Sequence, residues 1–85
     1  MRSDDTMHLD WYDRGILNFV LDWAPRPAPP DDAAVARFGI GAPRVMRRFD
    51  AVVDLYSSTG IPLEASDRDL VCQAMRYRSS AHLAV

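Results

Sequence analysis

The sequence predicts a small all-α domain of four helices that contains a helix-turn-helix. Apolar residues recur at intervals of three and four and nowhere alternate with period two. Helix starts and stops are marked by Asp10, Pro25, Gly39, Pro43 and Ser66. At 85 residues there is room for one domain, and a 48% hydrophobic fraction is too high for a disordered chain. Residues 1–9 are expected to form a flexible acidic arm, and residues 10–85 the domain.

The first helix is expected at about 10–24. Asp10 can accept a bond from the first turn as N-cap, and Asp13 adds favourable charge there. Tyr12, Ile16, Phe19, Val20 and Trp23 share one face, and Arg14, Gly15, Asn18 and Asp22 the other. Pro25 ends the helix. The run Pro25-Arg26-Pro27-Ala28-Pro29-Pro30 is a stiff, extended connector. Its expected role is a spacer within one core rather than a proline-rich ligand for another protein.

The second helix is expected at about 32–38 and the third at about 42–56, forming a helix-turn-helix over 32–56. Asp31 and Asp32 read as caps of the second helix. Gly39 suits a left-handed C-terminal residue, Ile40 a buried plug, and Pro43 a first helical turn. On the third helix Val45, Phe49, Val52, Val53 and Tyr56 make a core stripe, with Met46 at its edge. Arg44, Arg47, Arg48 and Ala51 fall opposite, either as a contact surface or as a solvated face with Arg47 paired to Asp50. After a loop at Ser57-Ser58-Thr59-Gly60-Ile61-Pro62, a fourth helix is expected at about 66–78. Ser66 and Asp69 resemble a capping box, and Leu70, Val71, Ala74 and Met75 are expected to face inward. Residues 79–85 carry no strong signal, although Leu83 and Val85 are candidates to dock. The expected core comprises Ile16, Phe19, Val20, Trp23, Val35, Phe38, Ile40, Val45, Phe49, Val52, Val53, Leu70, Val71 and Met75.

Three blocks carry a family resemblance. They are Ile16-Leu17-Asn18-Phe19 with Trp23, then Arg37-Phe38-Gly39-Ile40 with Arg44, then Asp67-Arg68-Asp69-Leu70-Val71. From about Arg14 to Arg78 the chain resembles a family of small actinobacterial proteins classed as a domain of unknown function. The resemblance implies a helical, helix-turn-helix-like fold and leaves the biochemical role open. The chain departs from that pattern in four places. Gly41 replaces a serine that would cap the recognition helix. Val45 and Met46 replace aromatic residues, and Ala24 replaces a second tryptophan. An arginine-rich tail is reduced to Arg76 and Arg78. The lost groups are the natural backbone-contacting and stacking ones.

Charge limits the functional classes. The formal net charge is −2 and the isoelectric point about 5.5, whereas dedicated nucleic-acid-binding domains carry a basic surplus. All ten basic residues are arginine. No apolar run reaches the ~20 residues of a membrane span, and the N-terminus is unlike a signal peptide. A lone Cys72, expected to be inert and mostly buried, fits a reduced, cytoplasmic setting. His8 and His82 lie at opposite ends, without companion metal ligands. Gly39-Ile40-Gly41 follows a helix and is too short for a phosphate loop. No catalytic set, metal, cofactor, membrane or small-molecule substrate is therefore expected.

Two functional classes remain. One is a non-enzymatic transcriptional regulator meeting duplex DNA through helix 42–56, with Arg44, Arg47, Arg48, Ala51 and Arg37 as the contact residues. Such a regulator is expected to work as a homodimer, because one recognition helix reads too few base pairs. The alternative is a protein-binding adaptor, whose acidic arm, Trp11/Trp23 region or arginine face docks on transcription machinery or another DNA-binding protein.

Overall fold

The computed structural model describes residues 9–24, 26, 28–58 and 62–83, with 81–83 described as backbone. Among them the chain is all-α, with α1 at Trp11–Asp22, α2 at Asp31–Phe38, α3 at Ala42–Ser58 and α4 at Ala65–Leu83. Helix α1 packs on α3 and α4, α2 packs on α3, and α3 packs on α4. The remainder of the arm, Pro25, Pro27, the Thr59-Gly60-Ile61 segment, Val85 and the side chains of His82 and Leu83 lie outside the described residues.

Each helix begins for a local reason. The Asp10 carboxylate accepts from the Tyr12 N–H at 2.8 Å, as an N-cap should. Helix α1 stops at Asp22 rather than Ala24, because the Trp23 and Ala24 N–H groups bond three residues back, to Val20 and Leu21. The connector is held down: the Arg26 carbonyl accepts from the Tyr77 hydroxyl at 2.5 Å, and Pro29 is buried. Gly39 adopts φ 75° and ψ 9° and closes α2 with an N–H···O bond to Val35. Helix α3 runs on to Ser58, where the Ser57 and Ser58 hydroxyls donate back to the Asp54 carbonyl instead of opening a loop.

Two expected caps are built differently. Asp31 does not cap α2; Pro30 occupies that position without a side-chain bond. The Asp31 carboxylate instead crosses the turn and accepts from the Ala42 N–H at 2.9 Å. At α4 the Ser66–Asp69 box is absent. Glu64 accepts from the Ser66 N–H at 3.0 Å and from its hydroxyl, while Asp69 accepts from Gln73. The Ser66 hydroxyl bond is also the main reason the Glu64 carboxyl sits below its usual range. Helix α4 continues past Arg78, which is anchored to Asp54 at 2.8 Å.

The core centres on Ile16, Leu17, Val20, Val45, Phe49 and Val53, all fully buried. Leu9, Phe19, Ala34, Ala42, Val52, Leu63, Val71, Ala74 and Tyr77 complete it. Trp23, Phe38, Ile40 and Leu70 pack against it half-buried, so Ile40 is not a buried plug. Val35 and Met75 do not belong to it, being 49% and 40% exposed. At ~100° per residue, the inward stripe of α2 follows Ala34 and Phe38, and that of α4 follows Asp67, Val71, Ala74 and Tyr77. Val35 and Met75 are rotated off those stripes. Leu9, read as the last residue of the arm, is instead buried, and its N–H donates to Asp67 at 3.0 Å.

Candidate functional site

Burying one face of α3 turns the opposite face to solvent. Arg44, Arg47 and Ala51 stand exposed there, and Leu55 continues the face at 47% exposure. Among the described residues neither Arg44 nor Arg47 forms an ion pair or a side-chain hydrogen bond. The Arg47–Asp50 pair, the alternative of a solvated face, is not formed; Asp50 faces Arg78 at 3.8 Å.

Arg48 does not belong with them. Its guanidinium meets Asp13 of α1, with Nη2 at 2.7 Å and Nε at 2.9 Å from the same carboxylate oxygen. It also lies 5.8 Å from the centre of the Tyr12 ring. Asp13 is buried, so Arg48 neutralises a carboxylate that the core would otherwise hold unpaired. The same bond raises the Arg48 pKa above its ordinary value. Arg48 therefore holds α3 against α1, and the expected surface of three arginines reduces to two. The sequence carried a signal for this: Asp13 occupies the same stripe as Ile16, Leu17 and Val20, where a carboxylate requires a cation from elsewhere.

The start of α3 is crowded. Asp31 caps α3 from across the turn, and Gly41 makes room for it. A Cβ at Gly41 would lie 2.7 Å from the Asp31 carboxylate oxygen. The carboxylate thus occupies an N–H group at the electropositive helix end, where a phosphate would otherwise be attracted.

Arg37 lies elsewhere, at the end of α2, its guanidinium 5.3 Å over the Phe38 ring and without an ion pair among the described residues. With Trp11, Tyr12, Gly15 and Phe38 it lines a groove of about 250 Å³ between α1 and α2. Tyr12 meets Phe38 edge-on at 5.8 Å, and Phe19 supports Phe38 from the core at 5.2 Å. Trp11 is edge-on to Tyr12 at 6.0 Å and 80% exposed.

Comparison with family models, curated proteins and solved structures finds no match.

The other candidates are quickly placed. Cys72 is exposed on α4, not buried as expected, because it lies beside Met75 on the outer face. Among the described residues no group of three or more histidine, cysteine or acidic side chains is arranged to hold a metal ion. No helix among them is long and apolar enough to cross a membrane.

Proposed function

We propose that this chain is a small, non-enzymatic, cytoplasmic regulator that meets duplex DNA through the outer face of α3. The observation that carries the reading is Arg44 and Arg47, exposed and without ion-pair partners among the described residues, beside the small Ala51 on a helix entered through a three-residue turn. Guanidiniums suit phosphates and guanine edges, and a small neighbour lets the helix approach a groove closely. Two arginines give little affinity alone, so the reading includes a homodimer presenting two such faces. Kinship with the actinobacterial helix-turn-helix-like family belongs to the same proposal.

A second reading, a protein-binding adaptor docking on transcription machinery or another DNA-binding protein, is favoured over DNA contact by the net charge of −2 and by the Asp31 carboxylate at the start of α3, both of which repel phosphate. Anisotropy of a labelled generic duplex at about 50 mM and about 200 mM salt separates the two. On the DNA reading binding weakens steeply with salt, and each arginine lost per protomer lowers the slope by about one unit. Arg44→Glu with Arg47→Glu should abolish binding while leaving the fold intact. Absence of duplex binding at the lower salt, or full binding by the double variant, would remove the regulator reading.

A further inference from the structure

We infer that the groove between the start of α1 and the end of α2 is a docking site for a short acidic peptide carrying a large apolar side chain. It is lined by Trp11, Tyr12, Gly15, Arg37 and Phe38. This surface shares no residue with the α3 face proposed to meet DNA.

Size is the first argument. The volume of about 250 Å³ falls below the ~300–1,000 Å³ of pockets that enclose a small-molecule ligand, and suits a single large side chain. Gly15 lines the groove without a side chain. A Cβ there would stand 3.7 Å from Phe38 and 4.0 Å from the Arg37 guanidinium, in ordinary contact, so anything longer would grow into the groove.

Chemistry fixes the rest of the occupant. An indole left 80% in water at the mouth of an aromatic groove offers apolar area with little ordering cost on binding. Beside it the Arg37 guanidinium is stacked over Phe38 and without an ion pair among the described residues, ready to take a carboxylate in the bidentate manner. Among the described residues the neighbouring carboxylates of α1 are engaged elsewhere: Asp10 accepts from the Tyr12 N–H and Asp13 is held by Arg48. A single-stranded nucleic acid would also stack on Trp11, but it needs a row of cations along its backbone. Among the described residues the only cation lining the groove is Arg37.

The test uses a short fluorescein-labelled peptide of Asp, Glu, Phe and Leu, titrated with the full chain. Saturable binding is expected, weakened more than about tenfold by Trp11→Ala and by Arg37→Glu. The Phe→Ala peptide and the peptide with Asn and Gln in place of its acids should lose it to the same extent. Gly15→Met should block binding by filling the groove, with no fall in the unfolding midpoint. Arg44→Glu with Arg47→Glu should leave peptide affinity unchanged, so failure here is distinguishable from failure of the DNA reading. The inference is overturned if the peptide does not bind, if Trp11→Ala or Gly15→Met leaves affinity intact, or if an oligothymidylate binds the groove as tightly as the peptide.

Discussion

At the residue scale, the turn between α2 and α3 rests on two neighbours that need each other. Asp31 reaches Ala42 at 2.9 Å only because Gly41 leaves the space, a Cβ there falling 2.7 Å from its oxygen. Asp31→Ala should cost about 1 kcal/mol, the usual worth of a helix cap. Gly41→Ala should cost a similar amount by evicting the carboxylate. In the Asp31→Ala background it should cost much less, because nothing remains to evict. Denaturant unfolding of the single and double variants gives the cycle, and strictly additive effects would mean the two positions are independent. Asp10 and Gly39 are legible in the sequence because their roles are settled within a few residues. The role of Asp31 is not, because its partner lies eleven positions away, and the α4 cap falls to Glu64 rather than Ser66.

At the element scale, α3 has an inner stripe for the core, an outer face for contact, and one arginine that belongs to neither. The Arg48–Asp13 pair joins α3 to α1, and Asp13 is too buried to be left alone. Arg48→Ala should destabilise by about 1–3 kcal/mol through the unpaired carboxylate, whereas Arg44→Ala should stay within about 0.5 kcal/mol. Chemical denaturation of the two variants side by side decides it, and equal midpoints would return Arg48 to the solvent face. Charge reversal at Arg48 therefore probes the fold rather than binding. Periodicity made the helices and the α3 stripe legible. It set α2 about a residue out of register, because Val35 is more apolar than the buried Ala34; on α4 it placed Val71 and Ala74 inward correctly, but added the exposed Met75 and missed the buried Tyr77. Small residues at helix contacts are invisible to a pattern that scores hydrophobicity.

At the scale of the whole molecule, the proline connector and the far half of α4 are tied through Tyr77. Its ring packs edge-on against Phe49 at 5.6 Å and its hydroxyl donates to the Arg26 carbonyl. Burial, with the Asp50 carboxylate adding to it, raises the phenol pKa above the ordinary 10.0. Folding thus favours the neutral phenol. That contribution is whole below about pH 10, where the unfolded side chain is also protonated, and is lost as pH rises through the higher folded value. Wild type should lose stability more steeply than Tyr77→Phe above about pH 10 in thermal melts. Parallel alkaline slopes would count against it. That α4 closes over the connector was not legible in the sequence, since periodicity gives a helix its faces but not its neighbours. For the same reason the arginine face could be read from one helix, while the groove at Trp11 needed two.

The Asp67 carboxylate joins segments far apart in the sequence. It takes the Arg14 guanidinium at 3.1 Å through both Nε and Nη2, and the Leu9 N–H at 3.0 Å. The Leu9 bond spans 58 positions, against 11 for Asp31 to Ala42. By loop-closure entropy the longer ring is dearer by about 1.5 kcal/mol, which sets an order of assembly. The α2–turn–α3 unit can form while the chain is still open, and the Asp67 clasp shuts behind it. In stopped-flow measurements Asp67→Asn should then hasten unfolding and leave the refolding rate nearly unchanged, whereas Asp31→Ala should slow refolding. A refolding rate that falls with Asp67→Asn would reverse that order. A molecule assembled this way comes undone from its ends, with the turn the last part to be surrendered.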